Sequence, residues 1–258
     1  MKREITSSDE AVSEMVDFAI LLSIMVLAIT IVSVAGVPMM QHMQDVQHTE
    51  NIRQSFKVLA PNVNKIIQGT APSQSVELKM YGGSLSVTGE SDINVTMQVW
   101  NASATPPAFE ANSFESQTSM IENHYLENSI CYENTGVWAK YDTGRAVMVS
   151  QPSFTFVNDV LVIPDVNIFG AASTSGSGLV RVTAEGGKRA VRNYENVSQV
   201  NITLKSSYYQ AWERYLNENL KMTISTVDHA NNTIYASRDY SGNIDVFIIS
   251  SPMTVTIE

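Results

Sequence analysis

The feature that most limits what this chain can fold into is the uncharged apolar run from Phe18 to Val37, FAILLSIMVLAITIVSVAGV. As a helix, a run of that length extends about 30 Å, the thickness of a bilayer's hydrocarbon core. Backbone polar groups in lipid must be satisfied within the segment, and a helix does this. A cleaved secretory signal is the competing reading. Its apolar region is usually about 7–15 residues and ends at a small-x-small site. This run is longer, and Gly36-Val37-Pro38 is not such a site. A membrane helix over 18–37 is therefore expected, with the lipid bilayer as its partner. Lys2 and Arg3 precede the run, and the next Lys or Arg is Arg53. That asymmetry predicts a cytoplasmic tail and helix start over 1–17.

Pro38 cannot continue the hydrogen-bond ladder and predicts a kink or restart. A stalk helix follows over 38–70. Ile52, Phe56, Leu59, Val63 and Ile66 recur at spacings of four and three, a stripe of heptad type. Met39, Met43 and Val46 form a shorter stripe in a displaced register. Pro61 is expected to interrupt or bend the helix, and Gly69 and Pro72 to end it. The stripe has two candidate partners, the chain's own distal domain and neighbouring helices, and could pack on either or on both. At the other end of the helix Glu14 and Asp17 lie one turn apart at the inner edge of the membrane. Glu14, Asp17, Ile52, Phe56, Leu59, Val63 and Ile66 are the candidate assembly residues.

Beyond Pro72 the apolar period changes from helical to alternating, and 71–258 reads as one extracellular β-rich domain, long enough to bury a core. Strands are expected at 75–80, 84–88 and 93–100, then at 146–149, 153–157, 160–163, 179–184 and 200–204. The last four are expected at 222–227, 233–236, 244–249 and 253–257. Gly82-Gly83, Gly186-Gly187, Asn231-Asn232 and Ser241-Gly242 are the predicted turns, the first as a hairpin. Residues 101–117 and the Gly/Ser/Thr-rich 171–178 read as loops. One helix interrupts the strands: Ser207-Tyr-Tyr-Gln210 resembles a capping box, and Tyr208, Trp212, Leu216 and Leu220 make an apolar face suited to covering a sheet. The expected fold class is α+β: a long N-terminal helix, transmembrane then amphipathic, followed by a mainly antiparallel β-domain with one covering helix.

The net charge of −10 argues against nucleic acid as a partner, since a binder needs basic side chains to displace counterions. Cys131 is the one cysteine, so no intrachain disulfide forms, and a buried small apolar role is expected. His42 and His48 are six apart and do not share a helix face, and His124 and His229 stand alone. No metal site, cofactor or catalytic motif is expected, and the chain does not read as an enzyme. Asn94, Asn101, Asn196, Asn201 and Asn231 each head an N-x-[ST] sequon and are candidate glycosylation sites.

The acidic-flanked segment DEAVSEMVDFAILLSIMVLAI, ahead of an amphipathic helix and a β-domain, resembles archaeal type IV pilin-like proteins. IRQSFKVLAPNVNKI, APSQSVELKMYGGSLSV, GVWAKYDTGRAVMVSQPSF, TSGSGLVRV and YYQAWERYL look like an uncharacterised family of membrane proteins of methanogens and haloarchaea. The resemblance implies location and architecture. In pilins an acid near the helix start pairs with the freed N-terminus of a neighbouring subunit, a role that falls here to Glu14. Archaeal prepilins carry a basic residue followed by Gly or Ala before the apolar run, where this chain has Asp9-Glu10. The expected function is a pilin-like structural or assembly protein of the cell surface. Copies of itself or other pilin-like subunits would contact the N-terminal helix. The alternative is a membrane-anchored extracellular module that binds a glycan, a surface-layer component or a protein.

Overall fold

The structure is a computed structural model that describes residues 7–142, 144–170 and 172–258. Lys2 and Arg3, on which the expected orientation rests, lie outside the described residues. One long N-terminal helix leads into a mainly antiparallel sheet that also carries one short helix. Contacts divide the chain into two units, one reaching His48 and the other Thr49–Glu258.

Helix α1, Ser7–Ile31, passes through a π-helical turn, Val32–Gly36, into α2, Val37–Ile67. The wide turn sits just before Pro38. That residue has no N–H to offer, and its ring crowds the carbonyl four positions back. The backbone at Ile31 and Val37 stays right-handed helical on either side, so a change of pitch replaces the expected restart. Pro61 does not interrupt the helix either: α2 runs through it, and Asn62 Nδ2 donates to the Val58 carbonyl at 2.9 Å. Termination falls where the sequence places it. Gly69 adopts φ +74°, its N–H donates to Ile66 O, and the Thr70 N–H donates back to Lys65 O. This pair of bonds is a Schellman ending, which satisfies the last carbonyls of the helix.

The strands are β1 Ser73–Asn101, β2 Ala108–Tyr125, β3 Asn128–Glu133, β4 Gly136–Lys140, β5 Val147–Ser150 and β6 Thr155–Val157. They continue with β7 Val160–Phe169, β8 Ser173–Gly186, β9 Ala190–Lys205, β10 Thr223–Asp228 and β11 Thr233–Ile257, and α3, Tyr209–Glu218, follows β9. They pair in the order β5-β4-β3-β2-β1-β8-β11-β7-β6, with β9 also bridging β1 and β11, and β10 on β11. Every pairing is antiparallel except β11 with β7.

The domain has two apolar cores. The stalk core joins the α2 stripe to Val76, Leu78, Val180, Val182 and Val255. The second gathers Trp212, Tyr215 and Leu216 of α3 with Val95, Ile202 and Ile234. Alternate residues of β3 and β4 feed both: Ile130, Tyr132, Val137 and Ala139 enter the stalk core, Cys131 and Trp138 the other. Strand β1 serves first one core and then the other by means of a bulge. Between Thr88 and Ser91 it carries one residue more than β2, and Gly89 there has φ +84°. An extra residue reverses which side chains point to which face. Leu85 therefore enters the stalk core, and Ile93, Val95 and Met97 the other.

Several expected boundaries move. Gly82-Gly83 makes no hairpin: β1 runs straight through, and the pair is another bulge, with Tyr81 opposite Ser177 and Ser84 opposite Ser175. Glycine is required there, because a Cβ on Gly83 would lie 1.9 Å from the His124 carbonyl oxygen. Residues 173–178, expected as a loop, belong to β8, and 108–117 to β2. Gly186-Gly187 joins β8 to β9, which pair with β1 and β11 rather than with each other. Ser241-Gly242 falls in an irregularity between Asp239 and Ile244, so three expected strands are one, β11. The hairpin turn expected at Asn231-Asn232 is present between β10 and β11.

Candidate functional site

The N-terminal helix is the first candidate. From Ser13 onward it is long and apolar enough to cross a membrane, and none of its most apolar window is buried within the chain. That distinguishes it from the core helix of a soluble domain. Phe18, Leu21, Met25 and Val34 are all exposed. Two of its hydroxyls are satisfied internally: Ser23 Oγ donates to Ala19 O and Thr30 Oγ1 to Val26 O, each at 2.7 Å. Such back-bonding removes the cost of a bare hydroxyl in hydrocarbon. Glu14 and Asp17 are exposed on the same helix.

Farther along, the stripe is shielded. Ile52 and Ile66 are 5% exposed, Phe56 and Val63 1%, and Leu59 0%, all within the stalk core. Polar contacts fix the docking. Tyr132 Oη donates to Asn64 Oδ1 at 2.8 Å, and Asn64 Nδ2 donates to Thr135 O at 3.0 Å. Arg189 Nη1 donates to Ile67 O at 3.0 Å, placing a cation at the negative end of the helix. Of the two partners left open for the stripe, the chain's own sheet is the one it packs against.

The sequons occupy two settings. Asn196 and Asn231 are exposed, the first at φ +57° and the second in the β10–β11 turn, where its Nδ2 donates to Asp228 Oδ2 at 2.7 Å. Asn101 ends β1 and accepts from the Ser103 N–H at 2.9 Å. Asn94 and Asn201 lie inside paired strands, and their sequons are in register: Asn94 opposes Thr203 and Thr96 opposes Asn201.

Beneath α3 is a buried polar cluster. Glu133, 1% exposed, accepts from Ser206 Oγ at 2.8 Å and Trp212 Nε1 at 3.1 Å through Oε2. Its backbone carbonyl accepts from Trp138 Nε1 at 3.3 Å. Burial raises the Glu133 carboxyl above the usual carboxylate range, and these hydrogen bonds pull partly the other way. The Tyr208 hydroxyl donates to Glu122 Oε1 at 2.6 Å and lies 3.0 Å from Ser129 Oγ. Burial also pushes the Cys131 thiol up, which leaves it protonated and inert. Glu133 and Cys131 have no opening to solvent, so the cluster orients α3 and the indoles of Trp138 and Trp212, which are tilted by 39° with centroids 4.4 Å apart. No group of three or more His, Cys, Asp or Glu suited to a metal occurs among the described residues.

A sequence profile matches residues 10–256. The chain belongs to DUF7289, a family of unknown function. No curated protein and no solved structure matches it. Tyr208, Trp212, Leu216 and Leu220, expected on one covering helix, are all buried; Trp212 and Leu216 lie in α3, while Tyr208 caps it and Leu220 follows its end. The expected capping box at Ser207 does not form: Tyr208 occupies the cap position of α3 with no side-chain cap bond, and Ser206 Oγ accepts from the Tyr208 N–H at 3.0 Å. Glu133 was missed altogether. The signal available was a lone acid in CYENTGVW, between apolar and aromatic residues on both sides.

Proposed function

We propose that this DUF7289 protein is a pilin-like structural or assembly subunit of the cell surface, anchored by its N-terminal helix with the β-domain outside. One observation carries the reading: a single helix is bare and apolar over its first part and docked on its own sheet over its second. The first part then supplies contacts to lipid and to other subunits, while the second positions the domain. Ile52, Phe56, Leu59, Val63 and Ile66 serve assembly by holding the domain to the stalk, and Glu14 and Asp17 remain exposed for a neighbouring subunit. The absence of Lys and Arg between Arg3 and Arg53, together with the five sequons, supports a cytoplasmic N-terminus and glycosylation outside.

Protease added to intact cells, with any surface layer permeabilised, is expected to digest residues beyond about 70 and spare the helix start; a protected β-domain overturns the orientation. Glu14→Gln is expected to insert and fold normally yet assemble poorly. Assembly of that variant at the wild-type level removes the pilin-like role. It leaves the second reading, a membrane-anchored binding module. That reading is favoured by the solvent-facing aromatic pair Trp100 and Phe109, which the fold has not covered.

A further inference from the structure

We infer that the solvent side of strands β2, β1, β9 and β11 is a binding face for a neutral polysaccharide, with Trp100 and Phe109 as its stacking platform. The inference rests on the anchored-module reading and names its ligand class. Trp138 and Trp212 are fully buried, whereas Trp100 is 40% exposed and Phe109, directly opposite it across the β1–β2 ladder, 43%. Their rings meet edge to face at 5.0 Å. With their planes 64° apart the rings form an apolar corner, in which the face of one ring can take the C–H face of a sugar while the other ring props it, and the indole N–H adds a donor.

Alternation along β1 places Gln98, Thr96, Asn94 and Asp92 on the same side as Trp100. Their partners on β9 are Gln199, Asn201, Thr203 and Lys205. Those residues in turn oppose Asp239, Ser237, Tyr235 and Thr233 of β11. The other side of these strands holds Ile93, Val95, Met97, Val200, Ile202 and Ile234, in the core under α3. The result is a set of amides and hydroxyls leading away from an aromatic platform. Several are held in place before any ligand arrives. Asn94 Nδ2 donates to Glu115 Oε1 at 2.8 Å, Gln199 Nε2 to Asp239 Oδ1 at 2.6 Å, and Lys205 lies 3.7 Å from Asp92. Preorganised donors and acceptors lower the entropic cost of binding. A cleft of about 480 Å³ opens on this face between Asp92, Asn94, Glu115, Gln117, Thr203 and Lys205. That size falls within the range of ligand sites.

Charge selects the ligand. Asp92, Glu115 and Asp239 outweigh Lys205 on the face, and the whole chain carries −10. Phosphorylated, sulfated and nucleic-acid polymers are therefore repelled. A neutral polymer of hydroxylated rings matches both the amide rows and the platform. The sequon asparagines Asn94 and Asn201 lie in the middle of the face, so it must be free of glycans at one or both of them to bind.

The test is affinity electrophoresis of the full chain in detergent micelles through gels containing soluble mannan, xylan or dextran, with dextran sulfate as the anionic control. Retardation by at least one neutral polymer and not by dextran sulfate is expected. Trp100→Ala is expected to weaken it about tenfold or more, with an unchanged unfolding midpoint. Asn94→Ala, which leaves the platform intact, should weaken it less. Three outcomes overturn the inference: no retardation by any of the neutral polymers, retardation untouched by both substitutions, or glycans on both Asn94 and Asn201 in peptides from the native host. Each leaves the topology untouched, because protease digestion of intact cells reads the anchoring separately.

Discussion

Two stretches of one helix obey different rules. Around Phe18–Val37 the apolar side chains point in every direction and none is shielded by the chain. From Ile52 to Ile67 one apolar stripe is buried and Val58 alone of the large apolar residues is left exposed, while Glu50 and Gln54 stay on the wet side and Arg53 pairs with Glu50 at 3.2 Å. The backbone is α-helical in both; what differs is the solvent each pattern requires. Burying each large residue of the stripe contributes about 1.5–3 kcal/mol to the domain. The first stretch contributes nothing to that core and has value only where its surroundings are themselves apolar. A helix can therefore carry a folding role and an anchoring role in sequence, without a break between them.

The contrast is tested most strongly by Phe56→Ala. Truncating this fully buried ring is expected to cost about 3–5 kcal/mol and to lower the unfolding midpoint of the detergent-solubilised chain, followed by near-UV circular dichroism. Val26→Ala in the first stretch should leave that midpoint where it is, and an equal drop would break the distinction. Met25→Arg reverses the pattern. It adds about 2.5–3.5 kcal/mol to insertion, so the membrane-retained fraction after alkaline extraction should fall while the β-domain unfolds as before. Asn64→Ala sharpens the description of the docked stretch. It strands the buried Tyr132 hydroxyl, and a loss of about 1–3 kcal/mol in urea unfolding is expected; no loss would mean that the stripe alone fixes the docking.

The smallest effect is a pH slope. The Glu133 carboxyl is raised by burial, so the native state takes up its proton before the unfolded state does as pH falls. Stability from this group therefore increases on going down from neutral pH, and levels off below the ordinary carboxylate range. Asp165, also raised mainly by burial, adds a slope of the same sign. Glu133→Gln should flatten the rise in midpoint as pH falls from neutral towards the ordinary carboxylate range. An unchanged slope would show that Glu133 is already neutral, or that Asp165 carries the effect.

The helix, its end and the covering helix were legible because their signals are local: a charge-free run, a repeat of four and three, and a glycine just past the last apolar residue. The strands from Ala108 to Lys140 were not. In β2 polar residues such as Glu110, Asn112 and Gln117 blur the alternation. In β3 and β4 both faces are buried, so there is no alternation to find. Their hairpin turns on Asn134 and Thr135, at φ +42° and +72°, with Gly136 only after the turn. Bulges hid the longest strands for another reason. Gly82-Gly83 reads as punctuation in a sequence, yet whether it reverses the chain or merely shifts its register depends on β2 and β8, which are distant in sequence. The polar rows that flank Trp100 became visible only when β1 and β9 were set side by side.

Because β1 and β11 each run through both cores, neither core can be completed alone. Strand β11 pairs with β7, β8, β9 and β10, and it is made after all of them. During synthesis the earlier strands must therefore wait, unpaired on that side, until the C-terminal segment emerges. The domain then forms late and as a whole, with the slow kinetics of a topology rich in distant contacts. Asn94 and Asn201 spend that interval in unpaired, extended chain, before the β1–β9 ladder fixes their backbone. Asn231, on its turn, stays reachable throughout. The order in which strands are made thus sets a timetable for chemistry on the chain, separate from anything the finished surface displays.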